Sequence, residues 1–170
     1  MDEAQKRSWV EINLTYLEEN YHALKALLPK RCRYMGIVKA DAYGHGAVPV
    51  ARRLEALGAD YLAVACLDEA EELRAAGISL PVLILGYTPP EYTKRLIDGR
   101  VTQLLYDAAM AQEMAERAAQ AGGRLTCHVA VDTGMSRLGF SSHPGDLEQS
   151  ADAVAALSRL PGLYLEGICT

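Results

Sequence analysis

The chain has 170 residues, half of them hydrophobic, which is enough to bury the core of one domain. Acidic residues outnumber basic ones by 22 to 17, and the basic residues form no stripe, so a nucleic-acid partner is not expected. No apolar run is as long as a membrane-spanning helix, and residues 1–7 lack the apolar core of a signal peptide. We therefore expect a cytoplasmic location and no membrane contact by this segment.

The first helix is predicted over residues 14–28. Its apolar side chains recur at intervals of three and four, which is typical of a helix with one buried face. Thr15 and Glu18 have the spacing of a capping box, in which each side chain satisfies a backbone amide at the start of the helix. Pro29 is predicted to end the helix, because proline cannot continue it.

Short apolar runs then alternate with amphipathic segments, which is the pattern of a βα repeat. Runs that are almost wholly apolar are typical of a parallel sheet covered on both faces. The predicted strands are residues 34–38, 61–65, 82–85, 102–105, 125–131 and 164–168. The predicted helices between them are residues 48–57, 67–76, 91–98, 108–121 and 147–160.

Six such strands could form an open doubly wound sheet or most of an eight-stranded barrel. The turn after the first strand contains neither the glycine fingerprint of dinucleotide-binding folds nor a phosphate loop. The candidate functional residues instead follow several different strands, which favours a barrel, since barrel active sites lie at the carboxyl ends of the strands. The sequence therefore predicts an α/β fold, a partial TIM (β/α)8-type barrel.

The last predicted strand ends the chain without a covering helix, and closed domains rarely leave such an apolar edge exposed. We therefore predict that residues 14–170 form an incomplete barrel of about six βα units, truncated before closure. Residues 8–12 alternate in polarity and resemble a short strand. Residues 1–13 are accordingly predicted to belong with a second domain that the chain does not contain.

Lys39 is the first candidate for chemistry. It directly follows the first predicted strand and precedes a glycine-rich turn, where a partly desolvated amine can act as a nucleophile. His45, between two glycines of the same turn, is predicted to order the loop rather than to act as a base. Residues 69–72 are predicted to be a solvated helix face. The four histidines and four cysteines show no ligand spacing, so no metal site is expected.

Three segments together resemble the alanine racemase family, pyridoxal-phosphate enzymes of fold type III. They are residues 38–46 (VKADAYGHG), 131–140 (VDTGMSRLGF) and 163–170 (LYLEGICT), in family order and at family-like spacing. The resemblance covers nearly the whole chain and identifies it as the N-terminal barrel portion of such an enzyme. It implies an isomerase that uses pyridoxal 5′-phosphate and interconverts L- and D-alanine for peptidoglycan, with a homodimer expected for the parent protein.

The resemblance also implies roles for four residues. Lys39 matches the lysine that holds the cofactor and moves a proton at the substrate Cα. Tyr43 matches a tyrosine beside the cofactor and its phosphate, and Leu85 fits an apolar wall at the end of the third strand. Arg137 matches an arginine near the cofactor's phenolic oxygen and the substrate carboxylate, which a planar guanidinium suits.

Racemisation needs a second acid or base on the opposite face of the planar carbanion. In the family it is a tyrosine from the C-terminal domain of the other subunit, and no residue of this chain corresponds to it. The family's arginine at the pyridine nitrogen and its late phosphate-binding loops have no counterpart here either. The chain alone is therefore expected to be inactive.

One position departs from the family pattern. Many alanine racemases carry a lysine, often carbamylated, seven residues before the signature arginine, and this chain has Ala130 there. Two alternatives stay open: a serine/alanine racemase domain of a glycopeptide-resistance membrane protein, and a non-catalytic pyridoxal-phosphate carrier. The signature at residues 131–140 favours a racemase over a carrier. Within it, Asp132 is predicted to cap the following turn and, like Met135, to support the site.

Overall fold

A computed structural model describes residues 9–170, which form one parallel sheet with helices packed along it. The strands pair in the order β1-β2-β3-β4-β5-β7, and β6 makes a short parallel pairing with the end of β5. The strands are β1 (Met35–Ile37), β2 (Tyr61–Val64), β3 (Val82–Ile84), β4 (Val101–Leu105), β5 (Leu125–Asp132), β6 (Phe140–Ser141) and β7 (Leu163–Cys169).

Helices connect successive strands, as the alternating pattern predicts, except that a loop alone joins β5 to β6. They are α1 (Leu14–Leu27), α2 (Lys39–Gly44), α3 (Ala47–Ala56), α4 (Leu67–Ala75), α5 (Thr93–Asp98), α6 (Ala108–Gln120) and α7 (Leu147–Leu157), and a 3-10 turn at Pro90–Tyr92 precedes α5. Among the helices of residues 9–170, none combines the length and the apolar character needed to cross a membrane. All six predicted strands and all six predicted helices are present, with ends that differ by a few residues.

The sheet has apolar side chains on both faces, which explains why its strands read as continuous apolar runs. One face packs against the helices and forms the larger core. The other face carries a smaller cluster of buried residues contributed by four neighbouring strands: Ala63, Leu83, Leu104 and Ala130. β1 and β7 pair on one side only in residues 9–170, so the sheet is not closed, and the predicted partial barrel is confirmed.

The predicted capping box of Thr15 and Glu18 is wrong, because the cap of α1 lies two residues before Thr15. Asn13 is the N-cap, and its Oδ1 accepts hydrogen bonds from the amides of Thr15 at 2.9 Å and Tyr16 at 3.4 Å. Thr15 itself lies within the helix. Glu18 forms an ion pair with Arg53 of α3, so this side chain anchors α1 to its neighbour instead of capping it.

Two short elements were not expected from the sequence. α2 occupies the predicted glycine-rich turn, and β6 follows the loop after β5. At the other end of the chain, residues 1–8 lie outside the described residues, and residues 9–13 form neither helix nor strand. The assignment of residues 1–13 to a second domain therefore stays a prediction.

Candidate active site

A cleft of about 400 Å³ lies at the carboxyl ends of the strands, and three of the four predicted site residues line it. Lys39 follows β1, Leu85 follows β3, and Arg137 lies in the loop after β5. The end of β7 contributes Cys169. Parallel strands bring their carboxyl ends to one edge, and this is why residues separated by almost 100 positions in the sequence meet there.

Tyr43, the fourth predicted residue, lies beside Lys39 but outside the lining of the cleft. The Lys39 ammonium is 5.9 Å from the centre of the Tyr43 ring, a distance at which a cation is attracted to an aromatic face. The ring is 62% exposed and borders a groove against α1 that also includes Tyr16. The structure therefore places Tyr43 next to the candidate amine, on its α1 side.

The segment after Lys39 turns in the left-handed sense. Four consecutive residues without glycine, Ala40 to Tyr43, have φ between +51° and +56°. Each such residue costs about 1–2 kcal/mol, because its Cβ approaches the following carbonyl oxygen. Strain of this size persists only where surrounding contacts determine the backbone, and it concentrates at functional sites. Of the four residues only Asp41 is of a type that adopts this region relatively often, and then as a single residue, so the sequence does not predict a left-handed turn.

Side chains from inside and outside the segment hold α2 in place. Asp41 Oδ1 accepts a hydrogen bond from the Ala47 amide at 2.6 Å and so joins α2 to the start of α3. His45 Nδ1 lies 2.9 Å from the carbonyl oxygen of Ala42 and 3.2 Å from that of Tyr43. Carbonyls only accept, so Nδ1 carries the proton and donates. His45 orders the loop, as predicted.

Glu69 supports the backbone beside the cleft, and the sequence analysis missed it. Its Oε1 accepts a hydrogen bond from the Ala40 amide and its Oε2 accepts one from the Ala65 amide, both at 2.7 Å. The prediction that residues 69–72 form a solvated face is therefore wrong for Glu69, although Glu72 is exposed. An acidic residue near the start of an amphipathic helix has no sequence signal that separates these two cases.

The loop that carries Arg137 is built on Asp132. The carboxylate Oδ1 accepts hydrogen bonds from the amides of Gly134 and Ser136, both at 2.9 Å, which confirms the predicted turn cap. The hydrogen bonds from these two amides, of which the one from Ser136 has the larger effect, hold the pKa of Asp132 below its usual range. Arg137 lines the cleft, is exposed and makes no ion pair with any residue in the described range 9–170, so its guanidinium donors remain available.

Replacing Asp132 by asparagine is expected to destabilise the chain at neutral pH and to have less effect in acid. A carboxylate with a lowered pKa stabilises the fold above its unfolded pKa of about 4 and loses that contribution as pH falls through the folded value. Urea unfolding of both proteins between about pH 7 and about pH 3 measures the difference. A difference that grows as the pH falls would contradict this assignment.

A second polar cluster lies at the opposite end of the sheet, inside the open barrel. The Tyr61 hydroxyl is 2.5 Å from Thr102 Oγ1 and donates to Glu166 at 3.1 Å, and His128 Nε2 is 3.2 Å from the same carboxylate. Burial is the main cause that raises the pKa of Tyr61 to about 12. A cavity of about 650 Å³ adjoins this cluster. It is larger than the cleft at Lys39, but it lies at the end of the strands where barrels carry structural rather than catalytic residues.

Among residues 9–170, no three histidine, cysteine or acidic side chains are grouped closely enough to hold a metal ion. What the cleft does offer is an amine, an apolar wall and a free guanidinium. These side chains meet at the carboxyl ends of parallel strands, which is where (β/α) barrel folds carry their functional residues, so the fold and the cleft together define the barrel portion of a (β/α) protein.

Comparison with known proteins gives the family. Residues 12–170 match the family described as alanine racemase, N-terminal domain, so the chain belongs to the alanine racemase family. An alanine racemase of Desulfovibrio desulfuricans is 42% identical over 162 residues, which are 95% of this chain and 42% of that protein. The alanine racemase 2 of Caldanaerobacter subterraneus is 42% identical over 159 residues, 94% of this chain and 40% of the relative.

Solved structures agree with the fold. The alanine racemase of Clostridium difficile 630 in complex with cycloserine has a TM-score of 0.90 and 42% identity, over 96% of this chain and 44% of that one. A histidine racemase from Leuconostoc mesenteroides has a TM-score of 0.77 and 26% identity, over 91% of this chain and 40% of that one. The chain therefore spans about two fifths of the length of the relatives that it matches.

Proposed function

We propose that this chain is the N-terminal barrel part of a pyridoxal-phosphate-dependent alanine racemase. The observation that carries the proposal is the cleft in which Lys39, Leu85 and Arg137 meet, on a chain that belongs to the alanine racemase family. Residues 14–170 would form the barrel portion. Residues 1–13 would belong with a C-terminal β domain, and a homodimer would complete the site.

The residues of the cleft fit pyridoxal phosphate by their chemistry. Lys39 offers a primary amine for the cofactor's aldehyde, and Leu85, partly buried on the inner face of the sheet, offers an apolar wall for a flat ring. Arg137 and Tyr43 offer donors to its anionic oxygens. When bound, the cofactor supplies an electron-accepting ring that weakens the Cα–H bond of an amino acid.

The chain's own residues would do the rest. Lys39 would hold the cofactor and then, as a free amine, remove or return the Cα proton on one face of the substrate. Arg137 would bind the substrate carboxylate, because its guanidinium has no competing ion pair within residues 9–170. Proton transfer on the opposite face of the substrate needs a second acid or base, which we assign to the other subunit.

Alanine is the proposed substrate because the relatives at 42% identity are alanine racemases, which also favours a racemase over a cofactor carrier. Serine is the alternative substrate, because Ala130 stands seven residues before Arg137, where many alanine racemases carry a lysine that is often carbamylated. The likeness to a histidine racemase indicates that this fold serves more than one amino acid. A cytoplasmic location and a role in D-alanine supply for peptidoglycan rest on the family resemblance and stay predictions.

The experiment compares the full-length protein that carries this chain with residues 1–170 alone. The full-length protein is expected to interconvert L- and D-alanine, with a higher kcat/KM for alanine than for serine or histidine, measured by chiral chromatography. Residues 1–170 alone are expected to show no exchange, because the second acid/base is lacking. Faster turnover of serine than of alanine would change the proposed substrate to serine. Racemisation by residues 1–170 alone would refute the need for another subunit.

A further inference from the structure

We propose that Glu69 is a positioning residue for Lys39, acting through the peptide bond that links Lys39 to Ala40. The inference rests on the proposed function, since it concerns how the amine of Lys39 is presented to an aldehyde cofactor. Glu69 makes no contact with the cleft itself among the described residues, and its effect is transmitted by the backbone.

The geometry of the carboxylate is the first argument. Glu69 lies in the first turn of α4, and each of its two carboxylate oxygens binds a backbone amide that follows one of two neighbouring strands. Oε1 binds the amide of Ala40, which follows β1, and Oε2 binds the amide of Ala65, which follows β2. Both distances are 2.7 Å, which is short for an N–H to oxygen bond and typical of an ionised acceptor.

The position of Ala40 is the second argument. Ala40 is the first of the four left-handed residues of α2, with φ of +51°. Its N–H belongs to the same rigid peptide plane as the carbonyl of Lys39, so a bond that fixes this amide also fixes ψ of Lys39. Glu69 therefore holds the amide of Ala40, at which the strained turn begins. By fixing ψ of Lys39 it helps to set the direction in which the Lys39 side chain leaves the backbone.

The third argument is that the hydrogen bonds of Glu69 extend, through Ala65, to the loop after β3. The carbonyl of Ala65 accepts a hydrogen bond from the amide of Gly86 at 3.1 Å, and a Cβ built on Gly86 would lie only 2.5 Å from that oxygen. Ala65 is thus held on one side by Glu69 and on the other by the residue after Leu85. These bonds join the loop of Lys39 to the loop of Leu85, two of the residues that line the cleft.

The test replaces the carboxylate in steps. Glu69→Ala loses both acceptors, Glu69→Gln keeps one, and Glu72→Gln on the exposed side of α4 is the matched control. Each full-length variant is incubated with limiting pyridoxal phosphate, reduced with borohydride and mapped by mass spectrometry. Labelling of Lys39 is scored against Lys25 and Lys94 in the same sample.

Labelling of Lys39 is expected to fall about tenfold or more in Glu69→Ala, the change that corresponds to loss of the one charge-assisted hydrogen bond to the Ala40 amide, and by less in Glu69→Gln. The Glu72→Gln control is expected to label like the unaltered protein. Hydrogen exchange of the Ala40 and Ala65 amides is expected to accelerate in the same order. For alanine, kcat is expected to fall while KM changes little, because substrate binding is assigned to Arg137.

The outcomes separate this inference from the proposed function. Equal labelling of Lys39 in all variants, with faster amide exchange in Glu69→Ala, would make Glu69 a structural residue only and overturn the inference. Absence of Lys39 labelling in the unaltered protein would overturn the proposed function and this inference with it. If Glu69→Ala fails to fold in thermal melts, the ratio of Lys39 labelling between Glu69→Gln and Glu72→Gln decides.

Discussion

Replacement of Lys39 by alanine is expected to lower kcat/KM for alanine racemisation by a factor of about 10³ or more in the full-length protein. The change removes the amine that we propose holds the cofactor and moves the proton, and no other lysine among residues 9–170 lines the cleft. Enantiomer exchange measures the rate, and absorbance of the protein with pyridoxal phosphate measures the loss of the covalent attachment. The free energy of unfolding without cofactor is expected to change little, because the Lys39 side chain is only partly buried.

Lys94→Ala is the matched control for this experiment. Lys94 lies on α5, outside the lining of the cleft, is mostly exposed and pairs with Asp98 one turn away. Its removal is expected to leave both the rate and the absorbance unchanged, since exposed pairs of this spacing contribute only about 0.3–0.5 kcal/mol. An active Lys39→Ala protein that keeps its absorbance would show that the cofactor lysine is elsewhere.

Replacement of Gly162 by alanine is expected to destabilise the chain by about 3 kcal/mol or more. Gly162 precedes β7 and packs against α6 so closely that an added Cβ would lie 2.0 Å from the carbonyl oxygen of Ala115. Backbone atoms cannot rotate away as a side chain can, so the helix or the strand must move. Urea and thermal unfolding of residues 1–170 measure the change, for which a fall in Tm of roughly 6–12 °C is expected.

Gly145→Ala is the control, because the nearest atom to an added Cβ there is His143 Nδ1 at 3.6 Å, an ordinary contact. Its effect is expected to stay within about 1 kcal/mol. Equal unfolding midpoints for the two variants would mean that α6 and β7 can separate without cost, and the close approach at Gly162 would then have no role in stability.

The order and type of the main elements could be predicted because each has a strong local pattern. The helix α6, for example, has apolar residues at helical spacing, and all three residues of β3 are apolar. Element ends were predicted less well, as at α1, where Asn13 and not Thr15 caps the helix. Several polar residues near a helix start can each form the cap, and only the backbone path selects one of them.

The site was predicted in part. Lys39 and Arg137 stand in recognisable motifs, and the structure brings both to one cleft. Glu69 could not be found, because its two partners are backbone amides whose positions depend on the packing of α4 against two strand ends. The left-handed turn was missed for a related reason: its conformation is favoured by contacts around it and disfavoured by its own residues.

The sequence by itself determined the βα alternation, the family resemblance and the identity of the candidate amine, since all three depend on residue types at short spacing. Only the tertiary structure decided that Tyr43 lies on the α1 side of Lys39, that Ala40 to Tyr43 turn in the left-handed sense, and that Glu69 joins two strand ends. The physical reason is that these features arise from contacts between residues far apart in the chain, whose free energies outweigh local preference.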